Sequence, residues 1–384
     1  MPWLETDVSE QRMQFVIEAT APLANVSAVC RKYGVSRRTG YRWIERYEAA
    51  GSLTALAEHS RRPHESPQRT SAAVTARIVA LRRRYGWAGR KLQTLLAREG
   101  VQRSTATIDR IIRREGLVDP AESHRPALTR FERTSPNELW QMDFKGQYPT
   151  AGATSCFPLS VLDDHSRYAV GLFALTSTRG GPVQAALVRC FKRSGVPLAM
   201  LIDHGTPWWS TSNGHGLTAL SVALIAQGIT LIYSGVRHPQ TQGKVERFHR
   251  TLGARLRQWG VPTTVRGFGR ALERFRVEYN DVRPHEANDL RPPASCYRAS
   301  PRAYVARPAA WDYPPGLEVR RVDHTGSIWI AGGRHFVCQA LAAHSVAYQQ
   351  IDHRLLVRYR HLYVREIDLR TRHSRPLIAR LASV

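Results

Sequence analysis

The spacing of hydrophobic residues divides the chain into regions of different structure. Apolar residues recur with the helical period of three to four positions in two segments, 9–50 and 71–117. In 137–300 short apolar runs separated by turn residues alternate with further helical segments. Residues 317–370 alternate apolar and polar positions over several short strands. The pattern predicts a multidomain chain with N-terminal all-α modules, a central α/β layer and a small C-terminal β-barrel.

The first helical segment, 9–50, has the pattern of a helix-turn-helix domain. Gly34 and Val35 separate its second and third helices, and Ser36 is placed to cap the third helix. A three-helix bundle that makes no DNA contact is the alternative. In the DNA-binding interpretation, the first turns of the third helix project four side chains toward a major groove: Arg37, Arg38, Tyr41 and Arg42.

The second helical segment, 71–117, repeats the pattern without repeating the sequence. It follows a basic, Pro-containing linker, HSRRPHESPQR, and precedes a second linker at 118–136. Ser104 is placed to cap its third helix. That helix carries Arg110, Arg113 and Arg114 as candidate DNA contacts. Two helix-turn-helix modules in tandem would span a longer DNA site than one.

The charge of the chain indicates a polyanionic partner. The 384 residues contain 56 Lys and Arg against 31 Asp and Glu, a formal net charge of +25, and the excess runs along the whole length. A basic tail on a neutral enzyme would concentrate this charge at one end. The distribution favours a protein that contacts nucleic acid with every domain.

Three carboxylates stand apart in the central basic region. Asp143 lies in LWQMDFKG, Asp203 in AMLIDHG, and Glu246 in HPQTQGKVERFHRTL. A carboxylate that follows an apolar strand in a basic protein is costly unless a cation neutralises it. We therefore predict that these three residues form a metal-binding catalytic site.

Other charged residues near these motifs have two possible roles. Lys244, Arg247 and Arg250 lie on the helix of Glu246 and could hold phosphates, or they could form a solvated basic face. Asp163 and Asp164 lie in a predicted hairpin turn, where Asp is favoured for local hydrogen bonds, and we interpret them as structural.

The motifs of 137–300 resemble the ribonuclease-H-like catalytic core of retroviral integrases and DDE insertion-sequence transposases. WQMDFKG is similar to the first Asp motif, LIDHG to the second, and HPQTQGKVERFHRTL to the Glu helix. VLDDHSRYAVG and YNDVRPHEANDLRPPASCY resemble the segments that follow the first and third motifs. With the two helical modules, the likeness covers about 9–305. It is closest to bacterial insertion-sequence transposases of integrase type.

The resemblance implies a reaction and its cofactors. Carboxylate oxygens suit Mg²⁺ or Mn²⁺, and two ions at one site could serve both the attacking and the leaving oxygen of a phosphodiester. Asp143 is then the candidate to bridge both ions, with Asp203 and Glu246 each completing one. The implied activity is binding of terminal inverted repeats, 3′-end cleavage, and strand transfer into target DNA. Because two double-stranded DNA ends must be joined, we expect at least a homodimer on DNA.

Two departures and two rival interpretations accompany this prediction. His204 stands where the family usually has Asn, and 42 residues separate Asp203 from Glu246, more than the family usually has. The rivals are a catalytically silent DNA-binding regulator derived from a transposase, and a simple ribonuclease-H-like nuclease. The intact triad favours an enzyme over a regulator, and two helix-turn-helix modules favour a transposase over a simple nuclease.

The remaining sequence features predict the compartment. Five scattered cysteines lack any paired spacing, so we expect reduced thiols and no structural zinc. No apolar run has the length of a membrane span, and the first residues lack the pattern of a secretion signal. We expect a bacterial cytoplasmic protein that is associated with the nucleoid when it is bound to DNA.

Overall fold

The computed structural model describes residues 7–58, 69–118, 132–152, 154–211, 216–234, 243–330 and 332–377. Most of both predicted linkers, and the HPQTQ part of the third motif, lie outside the described residues. The chain forms two compact units, which divide after Ser71. We call residues 7–58 the first module and residues 72–117, which belong to the second unit, the second module.

The first module contains three helices and a final 3₁₀ turn. Asp7, Asn25 and Ser36 each cap a helix by accepting a hydrogen bond from a backbone N–H. Its small core includes Phe15 and Leu56. The elements are α1 (Val8–Ala19), α2 (Val26–Lys32), α3 (Arg37–Ala50) and the turn Leu53–Leu56.

The second module also consists of three helices. Ser104 accepts a hydrogen bond from the N–H of Thr107 and begins the third helix, as its sequence position predicts. Fully buried Ile78, Leu92 and Leu96 are part of its core. The elements are α4 (Ala72–Tyr85), α5 (Gly89–Arg98) and α6 (Thr105–Arg114).

The centre of the second unit is a mixed sheet, which confirms the α/β prediction. Its strands run in the order β4-β3-β1-β5-β8, and β2 pairs with the start of β3. β3 is antiparallel to both of its long neighbours, whereas β1, β5 and β8 are mutually parallel. The strands are β1 (Leu139–Phe144), β2 (Tyr148–Pro149), β3 (Ser155–Asp163), β4 (Ala169–Leu175), β5 (Ala199–Ile202) and β8 (Thr230–Tyr233); β6 (Trp209–Ser210) and β7 (Gly216–Leu217) form a separate hairpin.

Helices cover both faces of this sheet. Alternation along β1 sends Trp140 and Met142 into the hydrophobic cluster that contains one pair of helices, so Gln141 and Asp143 face the other pair. The first pair is α7 (Gly180–Ser194) and α8 (Ala219–Ala226). The second pair is α9 (Gly243–Trp259) and α10 (Val265–Val277), and α10 continues into a π-helical turn, Glu278–Val282. Short 3₁₀ turns follow at Glu286–Asn288 and Pro293–Cys296.

The C-terminal strands form an open sheet, so the predicted closed β-barrel is not confirmed. The sheet has the order β15-β14-β13-β12-β9, a separate hairpin pairs β10 with β11, and within the described residues the edge strands β9 and β15 are not joined. The inner face packs into the same hydrophobic cluster as α7 and α8, so it is buried without closure. The elements are β9 (Glu318–Arg321), β10 (Ser327–Ile330), β11 (Gly333–Phe336), the 3₁₀ turn Gln339–Leu341, β12 (Ser345–Ile351), β13 (Arg354–Tyr359), β14 (Leu362–Asp368) and β15 (Ser374–Pro376).

Two further observations concern the chain as a whole. All five cysteines lie in the described ranges and are unpaired thiols. In those ranges, no helix combines the length and the apolar character that crossing a membrane requires.

Candidate active site

Asp143 lies near the end of the central strand β1. Its Oδ1 accepts a hydrogen bond of 2.8 Å from the N–H of Phe144, and its side chain is 26% exposed. The pKa of Asp143 is raised to about 6, mainly by burial. The hydrogen bond from Phe144 opposes this rise, and the negative charges of Asp203 and Glu246 add to it. Asp203 and Glu246 are therefore close enough for their charges to act on Asp143.

Asp203 reaches this neighbourhood through the parallel pairing of β1 with β5. Gln141 pairs with Leu201, and Asp143 and Asp203 each lie two residues beyond this pair on neighbouring chain segments. Asp203 Oδ1 accepts a hydrogen bond of 3.0 Å from the N–H of Gly205. A Cβ on Gly205 would lie 3.0 Å from the Asp203 carboxylate, so the LIDHG motif places a glycine where a side chain would crowd the acid.

Glu246 lies on the helix α9, whereas Asp143 and Asp203 belong to the sheet and the segment that follows it. It lies in the first turn of that helix, where a negative charge interacts favourably with the helix dipole. Its side chain is exposed. The start of α9 faces the end of β1, since His249 Nδ1, one turn after Glu246, lies 3.8 Å from Asp143 Oδ2. The charge of Glu246 also raises the pKa of Asp143.

His249 is a site residue whose role the sequence did not reveal. It is buried one turn after Glu246, and its Nε2 shares a hydrogen bond of 2.8 Å with Ser160 Oγ on β3. Its Nδ1 lies 3.8 Å from Asp143 Oδ2. Burial and the nearby charge of Lys145 lower the pKa of His249 to about 3, so the ring is neutral near pH 7. The spacing of three residues from Glu246 was the available signal.

Asp164 and Lys244 fix the start of α9 to the sheet. The fully buried Asp164 accepts hydrogen bonds of 2.7 Å from Gln141 Nε2 and 2.6 Å from Lys244 Nζ. Burial lowers the pKa of Lys244, and the charge of Asp164 opposes this. Lys244, two residues before Glu246, is a candidate phosphate contact in the sequence analysis. In the structure its ammonium is bound to the internal carboxylate of Asp164.

Asp163 also makes internal hydrogen bonds. It is fully buried, and it accepts hydrogen bonds from the N–H groups of Asn137 (2.7 Å) and Ser166 (2.8 Å) and from the Ser166 hydroxyl (2.6 Å). These bonds close the turn between β3 and β4. The contacts of Asp163 and Asp164 are those expected of structural residues.

The other predicted DNA contacts lie on exposed helix surfaces. Arg247 and Arg250 are exposed on α9. In the first module, the candidates at the start of α3 are all exposed: Arg37, Arg38, Tyr41 and Arg42. In the second module Arg110, Arg113 and Arg114 are exposed on α6, and Arg114 Nε lies 3.3 Å from Glu115 Oε1. Their contacts with DNA stay a prediction.

The donor set of the site fits a hard divalent cation. Within the described part of the chain, no three His, Cys, Asp or Glu side chains are grouped closely enough to hold a metal ion together. The carboxylates that act on one another at Asp143 nevertheless supply only oxygen ligands, which Mg²⁺ and Mn²⁺ prefer. Mutual repulsion of such groups is what a shared cation relieves.

Sequence comparisons agree with this arrangement. A helix-turn-helix domain model matches residues 11–64, and a homeodomain-like domain model matches 39–112. Integrase core domain models match residues 133–239, which include Asp143 and Asp203, and residues 227–293, which include Glu246.

One curated relative and two solved structures are similar to this chain. The 31.7 kDa protein of insertion element IS407 from Burkholderia multivorans is 28% identical over 297 residues, which cover 74% of this chain and 99% of that protein. The HTLV-2 integrase catalytic core domain in complex with magnesium is 14% identical, with a TM-score of 0.34 over 43% of this chain and 99% of that one. A chain of the simian T-cell lymphotropic virus intasome in complex with the PP2A regulatory subunit B56 gamma is 16% identical, with a TM-score of 0.38 over 74% and 97%.

The assignment depends on the sequence matches. Helix-turn-helix domains precede an integrase core domain that contains all three carboxylates, and the relative from an insertion element is matched over nearly its whole length. These matches support an insertion-sequence transposase that contains an integrase core domain.

Proposed function

We propose that this protein binds the terminal inverted repeats of its own insertion sequence, cuts each end to free a 3′-hydroxyl, and joins that hydroxyl to target DNA. The observation that carries the proposal is the raised pKa of Asp143, to which Asp203 and Glu246 both contribute. This influence on Asp143 supports a shared site for three motifs that are far apart in the sequence. All three carboxylates are present, which favours an enzyme over a regulator that has lost its site.

Asp143, Asp203 and Glu246 would hold Mg²⁺ or Mn²⁺, with two ions per site. When bound, such ions activate the attacking oxygen and stabilise the leaving oxygen of a phosphodiester. Water is the attacking group in the first reaction, and the freed 3′-hydroxyl is the attacking group in the second. No covalent intermediate between protein and DNA is required.

The chain's own residues hold the carboxylates in place. His249, neutral and fixed by Ser160, contacts Asp143, while Lys244 and Asp164 tie the start of α9 to β1. A neutral ring leaves the negative charge of Asp143 intact for a cation. His249 therefore acts as a positioning residue for the first carboxylate.

DNA recognition is assigned to the exposed basic helices. The starts of α3 and α6 would enter major grooves, and Arg247 and Arg250 would contact phosphates near the cut. The partners are double-stranded transposon ends and target DNA. Joining two ends at once requires at least a dimer, and the reaction places the protein in the bacterial cytoplasm at the nucleoid.

The test uses the full-length chain with Mg²⁺ or Mn²⁺ and labelled DNA that carries the ends flanking its own gene. Wild type is expected to nick at the 3′ ends and to join them to a second duplex. Asp143→Asn, Asp203→Asn and Glu246→Gln should each lower the rate at least about a hundredfold and leave DNA binding intact. Asp281→Asn, which neutralises an exposed acid after α10, is the matched control.

The outcomes separate the enzyme from its rival. Binding by wild type without cleavage in either metal would contradict the proposal and support the silent regulator. Cleavage that survives Glu246→Gln would show that another residue is the third ligand.

A further inference from the structure

A lysine that the function described so far does not use lies on the same face of the sheet as Asp143. Lys145 follows β1 directly, and its N–H donates to Pro158 O at 2.9 Å, so the pairing with β3 continues past the end of the strand. Side chains two positions apart in a strand lie on one face. Lys145 is therefore displayed beside Asp143 toward α9.

The helix opposite leaves room for this lysine. Gly253 is buried in the middle of α9, seven residues after Glu246 and hence on the same helical face. A Cβ at Gly253 would lie 3.2 Å from Lys145 Nζ and 3.3 Å from its Cε. The ammonium thus occupies space that any other residue at this helical position would fill.

A second cation approaches the same point. Arg257 Nη1 lies 3.5 Å from the position of that Cβ, so both positive groups converge on Gly253. Among the described residues, neither group forms an ion pair with a carboxylate. Two unneutralised cations held together repel each other, and a bound anion removes that cost.

The two cations lie near the carboxylate site. Lys145 is near enough to His249 to lower its pKa, and His249 is the residue that lies 3.8 Å from Asp143 Oδ2. The glycine lies about 10 Å along α9 from Glu246, at 1.5 Å per residue. The cations therefore lie where α9 faces the end of β1, about 10 Å along the helix from Glu246.

We propose that Lys145, together with Arg257, forms a binding site for a DNA phosphate that flanks the phosphate being cut. The Lys145 ammonium can reach this point because Gly253 has no side chain. It belongs to the contacts that position the strand, since a phosphate contact carries no base information. The proposal rests on the proposed function for its ligand, DNA, but not for any chemical step.

The test measures DNA affinity over a range of NaCl concentrations with the full-length chain and no divalent metal. The probes are a labelled duplex that carries the flanking ends of the chain's own gene and an unrelated duplex. Loss of one phosphate contact lowers the slope of log affinity against log salt by about one, equally on both probes. Lys145→Ala should show this decrease, and Lys145→Arg should keep the wild-type slope.

Two further variants control the measurement. Lys192→Ala removes the same charge from an exposed position on α7, on the opposite face of the sheet, and should leave the slope unchanged. Gly253→Met places a helix-favouring side chain where the Lys145 ammonium lies and should reproduce the slope of Lys145→Ala while helix content is retained.

An unchanged salt dependence would overturn the proposal. If folded Lys145→Ala, judged by its melting temperature, and Gly253→Met both keep the slope of Lys192→Ala, the phosphate site does not exist. Because no metal is added, wild type that binds DNA but never cuts it would remove the proposed function and leave this result unaffected.

Discussion

The two helical modules share a three-helix pattern but differ in the contacts that stabilise them. The first module closes on itself: Arg12 pairs with Glu58, and Lys32 pairs with Glu18, all within one compact unit. The second module shares its compact unit with the catalytic sheet.

The second module is fixed to the catalytic domain by polar and apolar contacts. Arg255 on α9 donates to the carbonyl of Arg84 at the end of α4 and also pairs with Glu278 at 2.5 Å. Gln258 donates to Arg83 O at 2.6 Å. Val282 packs against the core of the module. The helix that contains Glu246 therefore also binds the second module. These contacts fix the position of α6 relative to the active site.

The largest expected effect comes from a matched pair of core truncations, one in each module. Leu56 and Leu96 are both fully buried, one in each module, and truncation to Ala costs about 2–5 kcal/mol of unfolding free energy. Leu56→Ala should lower only the transition of the first unit in scanning calorimetry. Leu96→Ala should lower the transition of the unit that contains the catalytic sheet. A Leu56→Ala variant that shifts both transitions would show that the units are coupled.

The next test removes the contact that joins the second module to α9. Arg255 is 5% exposed, and Arg255→Ala leaves the Glu278 carboxylate without its partner in a largely buried position. We expect a loss of about 3 kcal/mol in the second unit. Arg250→Ala, an exposed position on the same helix, is the control and should change stability by less than about 0.5 kcal/mol. Chemical denaturation of both variants measures the difference, and equal losses would contradict a docking role.

The two units should also respond oppositely to pH. Because the pKa of Asp143 is raised from 3.8 to about 6, its contribution to stability is full below pH 3.8 and is lost as the pH rises through 6. The hydrogen bond from Lys32 lowers the pKa of Glu18, so the contribution of Glu18 is present above pH 4.5 and is lost as the pH falls. Asp143→Asn should therefore stabilise the metal-free second unit by about 2 kcal/mol at pH 7, after allowance for partial exposure, and by little at pH 4. A pH-independent effect of Asp143→Asn would contradict the raised pKa.

Periodicity was sufficient to predict the order of helices and strands in the central sheet. Asp143 lies near the end of β1, Asp203 follows the neighbouring parallel strand β5, and Glu246 lies in the first turn of α9; the motifs and the predicted elements placed each residue at such a position. Ser36 and Ser104 cap the helices that their positions predict, because capping depends on local sequence alone.

The remaining features depend on contacts that no local pattern records. The docking of the second module uses backbone carbonyls of Arg83 and Arg84, which are present at every residue and so give no sequence signal. Alternation in the C-terminal strands identified a buried face, but it could not distinguish a closed barrel from an open sheet covered by α8. The exposed, charged strand β9 favours the open edge.

The smallest expected effect concerns two ion pairs. One joins the second module to the catalytic domain, and the other lies within the first module. Lys91 on α5 lies 3.1 Å from Glu286, which follows the π-helical turn, whereas Lys32 and Glu18 both belong to the first module. A double-mutant cycle with Lys91→Met and Glu286→Gln should give a coupling of up to about 1 kcal/mol, because the lysine is largely enclosed and its partner is half exposed. The cycle with Lys32→Met and Glu18→Gln should give less, because Lys32 is far more exposed than Lys91. Repetition in 1 M NaCl, where the screening length is about 3 Å, should abolish the second coupling and only reduce the first. Equal couplings and equal salt sensitivity would mean that Lys91 and Glu286 add nothing to the docking of the second module beyond an ordinary surface pair, leaving Arg255 and the apolar contacts to hold it.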